Sequence, residues 1–261
     1  MVIGFIGLGN MASAMVRGIA AAQLEGVTLC GHNPHPEKAK ELAEQCGLRL
    51  LPSNQAVLDA SDVVVLAVKP QILGDVLAEI APQAAGKLFL SVAAGKELAW
   101  LEERLGRAAI VRAMPNINAV AGASVTGWCA NGAVDAPQKQ LAARLLGTFG
   151  TAVEVPEKFM GIVGAIGGAA PAYTYLYINA LAEAAVQAGM PKGIAVEIAA
   201  AMAEGSGRMV RLSGQQPWTL IDRVTSPGGT TVEGLLALQR GGFEPAVHAA
   251  VQAVLEKDKR M

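Results

Sequence analysis

The chain begins Val2-Ile3-Gly4-Phe5-Ile6-Gly7-Leu8-Gly9-Asn10-Met11-Ala12, and this stretch decides the fold. Its first part is a continuous apolar run, typical of a strand buried on both faces of a parallel sheet. The G-x-G-x-x-A spacing that follows is the pattern of a dinucleotide-binding turn. In such a turn the first glycine allows a tight bend, the second lets the backbone reach a pyrophosphate, and the alanine lets helix and strand pack closely.

The first half of the chain alternates apolar runs with helical patterns. Further strands are predicted at residues 27–30, 62–68, 88–92, 109–113, 123–128 and 151–155. Helices are predicted between them at residues 11–22, 36–46, 72–81, 97–105 and 136–149. Apolar strands alternating with helices predict a doubly wound, mostly parallel sheet of the Rossmann type, covered on both faces. We assign this α/β domain to residues 1–155.

The second half has no strand pattern. Helices are predicted at residues 172–188, 192–212, 219–224, 231–240 and 244–257, separated by glycines and prolines. These segments are rich in alanine and poor in charge, so they would pack poorly alone. We therefore predict an all-α domain at residues 156–261 that buries its apolar surface in a homodimer.

Composition excludes several classes of protein. The 261 residues carry 21 Lys and Arg against 22 Asp and Glu, and this near-neutral balance is unlike that of a nucleic-acid-binding protein. Three separated cysteines and three histidines form no metal-ligand or disulfide pattern, which indicates no metal and a reducing cytoplasm. Residues 161–182 carry no charge over a bilayer-spanning length, but their glycines, proline and asparagine disfavour a membrane span. No signal-peptide pattern is present, so we expect a cytoplasmic protein without membrane or nucleic-acid partners.

The cofactor preference depends on the end of the second strand. An NAD site has Asp or Glu there to bind the ribose 2′-hydroxyl, whereas this chain has Cys30-Gly31-His32-Asn33-Pro34. A 2′-phosphate would meet no repelling carboxylate and could contact His32, Asn33 and Lys38. The sequence therefore favours NADPH, with NADH as an alternative.

Other candidate cofactor residues follow predicted strands, where doubly wound sheets bind their ligands. Small residues after the strand at 88–92 would let a nicotinamide lie against the backbone. The full set of candidates is Gly7, Leu8, Gly9, Asn10, Met11, His32, Asn33, Asn54, Val68, Lys69, Pro70, Ala93, Ala94, Gly95, Met114, Pro115 and Asn116.

A late motif, Val224-Thr225-Ser226-Pro227-Gly228-Gly229-Thr230-Thr231, joins two predicted helices. Thr230 and Glu233 have the spacing of a capping box, and we predict that Thr230 caps the second helix in this way. Free amides at a helix start form an anion site suited to a carboxylate.

In the order and spacing of these motifs, over roughly residues 1–256, the chain resembles the pyrroline-5-carboxylate reductases. The resemblance implies reduction of the cyclic imine 1-pyrroline-5-carboxylate to L-proline, the last step of proline biosynthesis. It implies that Ser226, Gly228, Gly229, Thr230 and Thr231 hold the substrate carboxylate. Thr231 is the candidate catalytic residue, with its hydroxyl near the ring nitrogen. An interlocked homodimer, which can assemble further into a decamer of five dimers, is also implied.

One segment departs from the family pattern. The family has Ser-Gly-Ser-Gly-Pro-Ala-Tyr where this chain has Gly167-Gly168-Ala169-Ala170-Pro171-Ala172-Tyr173, so both serines are lost. Two alternatives therefore stay open. One is a related imine or β-hydroxyacid-type reductase, although no lysine stands in that class's Gly-x-x-x-Lys setting. The other is a non-catalytic paralogue that binds NADP.

Overall fold

The computed structural model describes residues 1–35, 37 and 39–259 and divides the chain into two compact units. The first unit is Met1–Ala169 and the second begins at Ala170. The division lies later than the predicted boundary at residue 155, because residues 156–169 contact the first unit. Met160, for example, is 3% exposed in one of its two cores. The domain boundary at 155 stays a prediction.

The first unit is built on an eight-stranded sheet with the order β3-β2-β1-β4-β5-β6-β7-β8. Neighbouring strands are parallel except β6 and β7, which are antiparallel. The strands are β1 Val2–Ile6, β2 Thr28–His32, β3 Arg49–Leu50, β4 Val63–Leu66, β5 Leu88–Ser91, β6 Ala109–Met114, β7 Ser124–Ala130 and β8 Gly150–Glu154. Seven of these overlap the predicted strands, whereas the two-residue β3 was not predicted.

Helices cover both faces of this sheet, as the sequence predicted. They are α1 Asn10–Ala21, α2 Lys40–Cys46, α3 Asn54–Ala60, α4 Leu73–Ile80, α5 Leu98–Leu105, α6 Ala136–Gly147 and the short α7 Met160–Val163, followed by a π-helical segment, Gly164–Ala169. Strand β4 shows why the sheet needs two covers: Val63 and Val65 belong to one core, and Val64 and Leu66 to the other. Helices α1, α2 and α6 supply the first core, and α3, α4 and α5 supply the second.

The described residues of the second unit form helices joined by short loops, with no strand. Its helices are α8 Ala170–Gln187, α9 Lys192–Ser213, α10 Pro217–Val224, α11 Thr230–Arg240 and α12 Phe243–Asp258. Alanines such as Ala182 and Ala195 are buried where α8 and α9 pack, because a small side chain lets two helix backbones approach closely. Large apolar side chains remain exposed, including Leu176 at 70% and Trp218 at 54%.

The segment Glu157–Gln187 is long and apolar enough to cross a membrane by length and composition alone. Within its most apolar window, 22% of the residues are buried inside the chain. Core helices of soluble proteins meet the same criterion, so the segment is weak evidence for a membrane span.

Both parts of the predicted fold class are confirmed: a Rossmann-type, mostly parallel sheet is followed by a helical region.

Candidate active site

The carboxyl ends of the parallel strands meet at one edge of the sheet. Ile6, the last residue of β1, pairs with His32 on β2 and with Leu66 on β4. Leu66 in turn pairs with Ser91 on β5. Loops that follow these strands are therefore neighbours, and they carry most of the candidate cofactor residues. The strand order changes direction at β1, which is where ligands bind in open α/β sheets.

Gly7 forms the bend that the fingerprint requires. Its φ of +90° lies in the region that favours glycine. A Cβ at this position would lie 2.8 Å from a methyl group of Val68 and 2.9 Å from the carbonyl oxygen of Ala67. The Gly7 amide donates to the carbonyl of His32 at 3.0 Å, which ties the bend to the end of β2.

Gly9 has a different role, because nothing lies within 4 Å of the position that its Cβ would take. It is the N-cap of α1, and neither a side-chain cap nor an acidic residue in the first turn satisfies the amides there. Open space beside uncapped, dipole-positive amides is the environment that a phosphate group needs. The first turn is therefore suited to a dinucleotide pyrophosphate.

The other residues of the turn fix its position. Ala12 is 1% exposed and packs α1 on the sheet, and Leu8 is buried against Gly31 of β2. Asn10 is exposed and Met11 is half-buried at the start of α1.

The end of β2 has the polar character that the sequence predicted. His32 is half-buried, and its Nδ1 lies 3.0 Å from the carbonyl oxygen of Leu51. A carbonyl only accepts, so Nδ1 carries the hydrogen and Nε2 is left for another partner. The Asn33 amide donates to the His35 carbonyl at 2.9 Å. Lys38, the third predicted 2′-phosphate partner, lies outside the described residues.

The loops after β4 and β5 follow neighbouring ends of the parallel sheet, because Leu66 and Ser91 pair with each other. Val68 and Pro70 are half-buried after β4, whereas Lys69 is exposed. After β5, Ala93 is buried, Ala94 is half-buried, and the exposed Gly95 has a φ of +70°.

Two predicted cofactor residues have side chains already engaged in the fold. Asn54 begins α3, and its amide donates to the carboxylate of Glu79 at 2.8 Å. Asn116 is 5% exposed; its amide donates to the Gly167 carbonyl at 2.8 Å and its oxygen accepts the Asn118 amide at 3.1 Å. Met114 and Pro115, the other residues of this loop, are half-buried and buried. These contacts give both asparagines a positioning role, and their contact with a cofactor stays a prediction.

The late motif forms the turn between α10 and α11. Gly228 has a φ of +68°, and the Gly229 amide donates to the Ser226 carbonyl at 3.0 Å. A Cβ on Gly229 would lie 2.5 Å from Ser226 Oγ, so a side chain there would displace the serine hydroxyl. Ser226, Thr230 and Thr231 are exposed, and their hydroxyls are available to a ligand.

The predicted capping box is wrong. Gly229, not Thr230, is the N-cap of α11, and within the part of the chain that the structure describes no side chain caps this helix end. The extended backbone of Gly229 ends the turn one residue earlier than expected, so Thr230 is already helical and Glu233 is one position too far along.

The segment without its serines lies where the helix geometry changes. Gly167, Gly168 and Ala169 belong to the π-helical segment, and Ala170 begins α8. Single π-helical turns are frequent at functional sites.

Within the described ranges, no three His, Cys, Asp or Glu side chains are grouped closely enough to hold a metal ion. Burial, together with the nearby carboxylate of Glu157, raises the pKa of the Cys129 thiol to about 11.

The doubly wound sheet, the glycine turn and the helical second unit define an oxidoreductase of the class that uses a nicotinamide dinucleotide. Residues 2–95 match the family model described as NADP oxidoreductase coenzyme F420-dependent. Residues 157–261 match the model described as pyrroline-5-carboxylate reductase dimerisation.

Full-length relatives specify the family. A pyrroline-5-carboxylate reductase of Glycine max is 36% identical, over 99% of this chain and 95% of the relative. The structure of the Coxiella burnetii pyrroline-5-carboxylate reductase has a TM-score of 0.92 at 34% identity, covering 99% of this chain and 97% of that one. The Plasmodium falciparum pyrroline carboxylate reductase with NADP bound has a TM-score of 0.88 at 34% identity, covering 100% and 97%. The chain belongs to the pyrroline-5-carboxylate reductase family.

Proposed function

We propose that this chain reduces 1-pyrroline-5-carboxylate to L-proline, with NADPH as the preferred hydride donor. The observation that carries the proposal is similarity to named reductases over 99% of the chain, together with an intact glycine turn and an intact late motif.

The first turn of α1 would hold the pyrophosphate, since its amides are uncapped and Gly9 leaves room beside them. In its protonated form, in which both ring nitrogens carry hydrogens, His32 would donate to the 2′-phosphate through Nε2, because Nδ1 donates to the carbonyl of Leu51. The other candidates, from the loops after β4, β5 and β6, would face the nicotinamide half through their backbone and small side chains. When bound, NADPH supplies the hydride that reduces the imine carbon.

In the late motif, the amides at the start of α11 and the hydroxyls of Ser226 and Thr230 would bind the substrate carboxylate. This places an anion at the positive end of a helix dipole, which is favourable in a partly dry site. Gly228 and Gly229 give the turn the shape that leaves these groups exposed.

The chemistry asks the protein mainly for orientation. A protonated cyclic imine is already electrophilic, so positioning the two reactants can supply most of the acceleration. Thr231 would accept or donate a hydrogen bond at the ring nitrogen and fix the ring. A hydroxyl is a poor acid, so solvent or the protonated substrate supplies the proton.

Self-association follows from the exposed apolar helices of the second unit. Tyr173, Leu176 and Tyr177 of α8, with Phe243 and Val247 of α12, line an apolar groove in that unit. We propose that a second copy covers this surface in an interlocked homodimer, and that dimers associate further into a decamer. Such an enzyme would act in the cytoplasm. Sedimentation velocity tests the dimer: Leu176→Asp should yield monomers, while Ile72→Asp, an exposed site in the first unit, should not.

Oxidation of NADPH, followed at its absorbance band with 1-pyrroline-5-carboxylate, tests the activity. Thr231→Ala should lower kcat/KM by about tenfold to a hundredfold, the range expected from about 1.4–2.7 kcal/mol of lost transition-state stabilisation. The Kd of NADPH should stay unchanged, and Thr231→Ser should restore most of the activity. Cofactor binding without turnover of the imine would instead support the non-catalytic paralogue. Turnover of 3-hydroxy acids would support the β-hydroxyacid class.

Replacing His32 with glutamine tests the cofactor preference. The ratio of kcat/KM with NADPH to that with NADH should fall, because glutamine can donate a hydrogen bond to the 2′-phosphate but lacks the positive charge of a protonated imidazole. A clear preference for NADH in the unmodified protein would overturn the argument.

A further inference from the structure

A row of side chains crosses three strands beside the candidate nicotinamide loop. Arg112 on β6 pairs in register with Ser91 on β5 and with Cys129 on β7. Its guanidinium Nη1 lies 2.8 Å from Oε1 of Glu157, and the two side chains are 14% and 32% exposed. This is the least exposed ion pair among the described residues. Its low exposure reduces screening by solvent and salt.

The same Glu157 oxygen has a second partner. It accepts the backbone amide of Leu98, the first residue of α5, at 2.7 Å. The local N-cap residue, Glu97, makes no side-chain cap of its own. A carboxylate 59 residues away in sequence therefore satisfies an amide at the start of α5 and places its negative charge at the positive end of the helix dipole.

This contact fixes one end of the loop between β5 and α5. At the other end, the Val92 amide donates to the Leu66 carbonyl at 3.1 Å, and the Ala93 amide lies 3.4 Å from Ser91 Oγ. Between the two anchors the loop contains Gly95 in its left-handed conformation. Leu98 is also buried in the second core, so the contact with Glu157 adds a polar anchor to the packing that holds α5.

We propose that Glu157, held in place by Arg112, is a positioning residue for the cofactor: it fixes the loop of Ala93, Ala94 and Gly95 against which the nicotinamide half binds. The inference rests on the proposed function, because that function places the nicotinamide beside this loop. Arg112 aims the carboxylate, and the carboxylate caps α5. The loop is thereby ordered before the cofactor arrives, which lowers the conformational entropy lost on binding.

The test compares Glu157→Gln and Glu157→Ala in the full-length chain, with Glu154→Gln as the matched control. Glutamine keeps an oxygen for the Leu98 amide but loses the charge, whereas alanine loses both contacts. The control removes an ion pair of similar length, Lys139 to Glu154 at 2.7 Å, at a more exposed site between α6 and β8.

The Kd of NADPH should rise by roughly threefold in Glu157→Gln and by about tenfold or more in Glu157→Ala, the size of effect that one charged hydrogen bond controls. The KM for the imine should stay within about twofold in both variants. Hydrogen exchange of the peptide covering residues 92–101 should accelerate in Glu157→Ala without cofactor, and remain unchanged in Glu154→Gln.

A lower thermal midpoint with an unchanged Kd would overturn the proposal, since it would reduce the ion pair to a stability contact. An equal change of Kd in Glu154→Gln would overturn it as well. If Glu157→Ala does not fold, the Kd of Glu157→Gln and exchange in Arg112→Lys decide the matter, because both keep part of the contact. Failure of the unmodified protein to bind NADPH would refute the proposed function itself, which is a different result from normal binding in every variant.

Discussion

Replacing Gly7 or Gly9 of the dinucleotide-binding turn with alanine adds one methyl group. We expect this change at Gly9 mainly to weaken NADPH binding, and at Gly7 mainly to destabilise the fold. At Gly9 the backbone is extended, with a φ of −77°, and the position of the new Cβ has no neighbour within 4 Å. Alanine is a poorer N-cap than glycine, but it also restricts the unfolded chain. These effects offset, so we expect Gly9→Ala to change the free energy of unfolding by less than about 1 kcal/mol.

At Gly7 the same change should lower the free energy of unfolding. The φ of +90° alone costs a residue with a Cβ about 1–2 kcal/mol. Contacts of 2.8 Å with Val68 and 2.9 Å with the Ala67 carbonyl add strain, and the latter atom belongs to the backbone and cannot move aside. We expect Gly7→Ala to lower the free energy of unfolding by roughly 2–4 kcal/mol.

The binding result separates the two sites more sharply. Gly9→Ala should raise the Kd of NADPH by about tenfold or more, at least about 1.4 kcal/mol, because its methyl group occupies the space that the phosphate needs. Urea unfolding followed by circular dichroism measures stability, and energy transfer from tryptophan to the nicotinamide measures Kd. Gly147→Ala, at the exposed end of α6 with nothing within 4 Å, is the control for both. An unchanged Kd in a folded Gly9→Ala variant would refute the assignment of the pyrophosphate to this turn.

Two further predictions concern buried groups of the first unit. Because burial raises the pKa of the Cys129 thiol from 9.0 to about 11 in the folded state, its contribution to stability is complete below pH 9 and is lost as pH rises towards 11. Urea unfolding should show that decline between pH 9 and 11, and Cys129→Ala should remove it; the same slope in both proteins would contradict the argument. Asn116→Ala should lower the free energy of unfolding by about 2–4 kcal/mol, because it deletes the hydrogen bonds to the Gly167 carbonyl and the Asn118 amide. An unchanged urea midpoint would remove the positioning role of Asn116.

Local patterns in the sequence predicted most of the fold and much of the site. The apolar runs of β1 and β4 and the glycine spacing of Gly7 and Gly9 act within a few residues, so they can be read without knowing the fold. Strand β3, Arg49–Leu50, could not be predicted, because two residues are too few to show the alternation of apolar and polar side chains that marks a strand.

Contacts distant in sequence escaped prediction for a different reason. Glu157 caps a helix that begins at Leu98, and Asn116 is anchored to Gly167, across 59 and 51 residues respectively. No spacing marks either pair, because each depends on where the sheet brings its strands. The sequence therefore gives no sign that the side-chain amide and oxygen of Asn116 have partners in the fold, and the predicted contact of Asn116 with a cofactor stays a prediction.

The start of α11 differs from the predicted capping box in a way that favours the proposed carboxylate site. Had Thr230 been the N-cap, its hydroxyl and the Glu233 side chain would each have bonded an amide at the start of α11, which would leave fewer amides for an incoming anion. Glu233 lies in the first turn of α11 in either case. With Gly229 at the N-cap, no side chain of the described chain caps those amides, and the hydroxyls of Thr230 and Thr231 stay exposed.

The start of α1 has the same arrangement, with Gly9 as an uncapped N-cap. At α6, by contrast, the side chain of Asp135 caps the helix, so the start of that helix has no comparable uncapped amides. Substituting serine for Gly229 tests the principle: a side-chain cap should stabilise an isolated helix end, but here it would crowd Ser226 Oγ and compete for the amides. The KM for the imine should rise while the Kd of NADPH stays constant, and an unchanged KM would show that the carboxylate binds elsewhere.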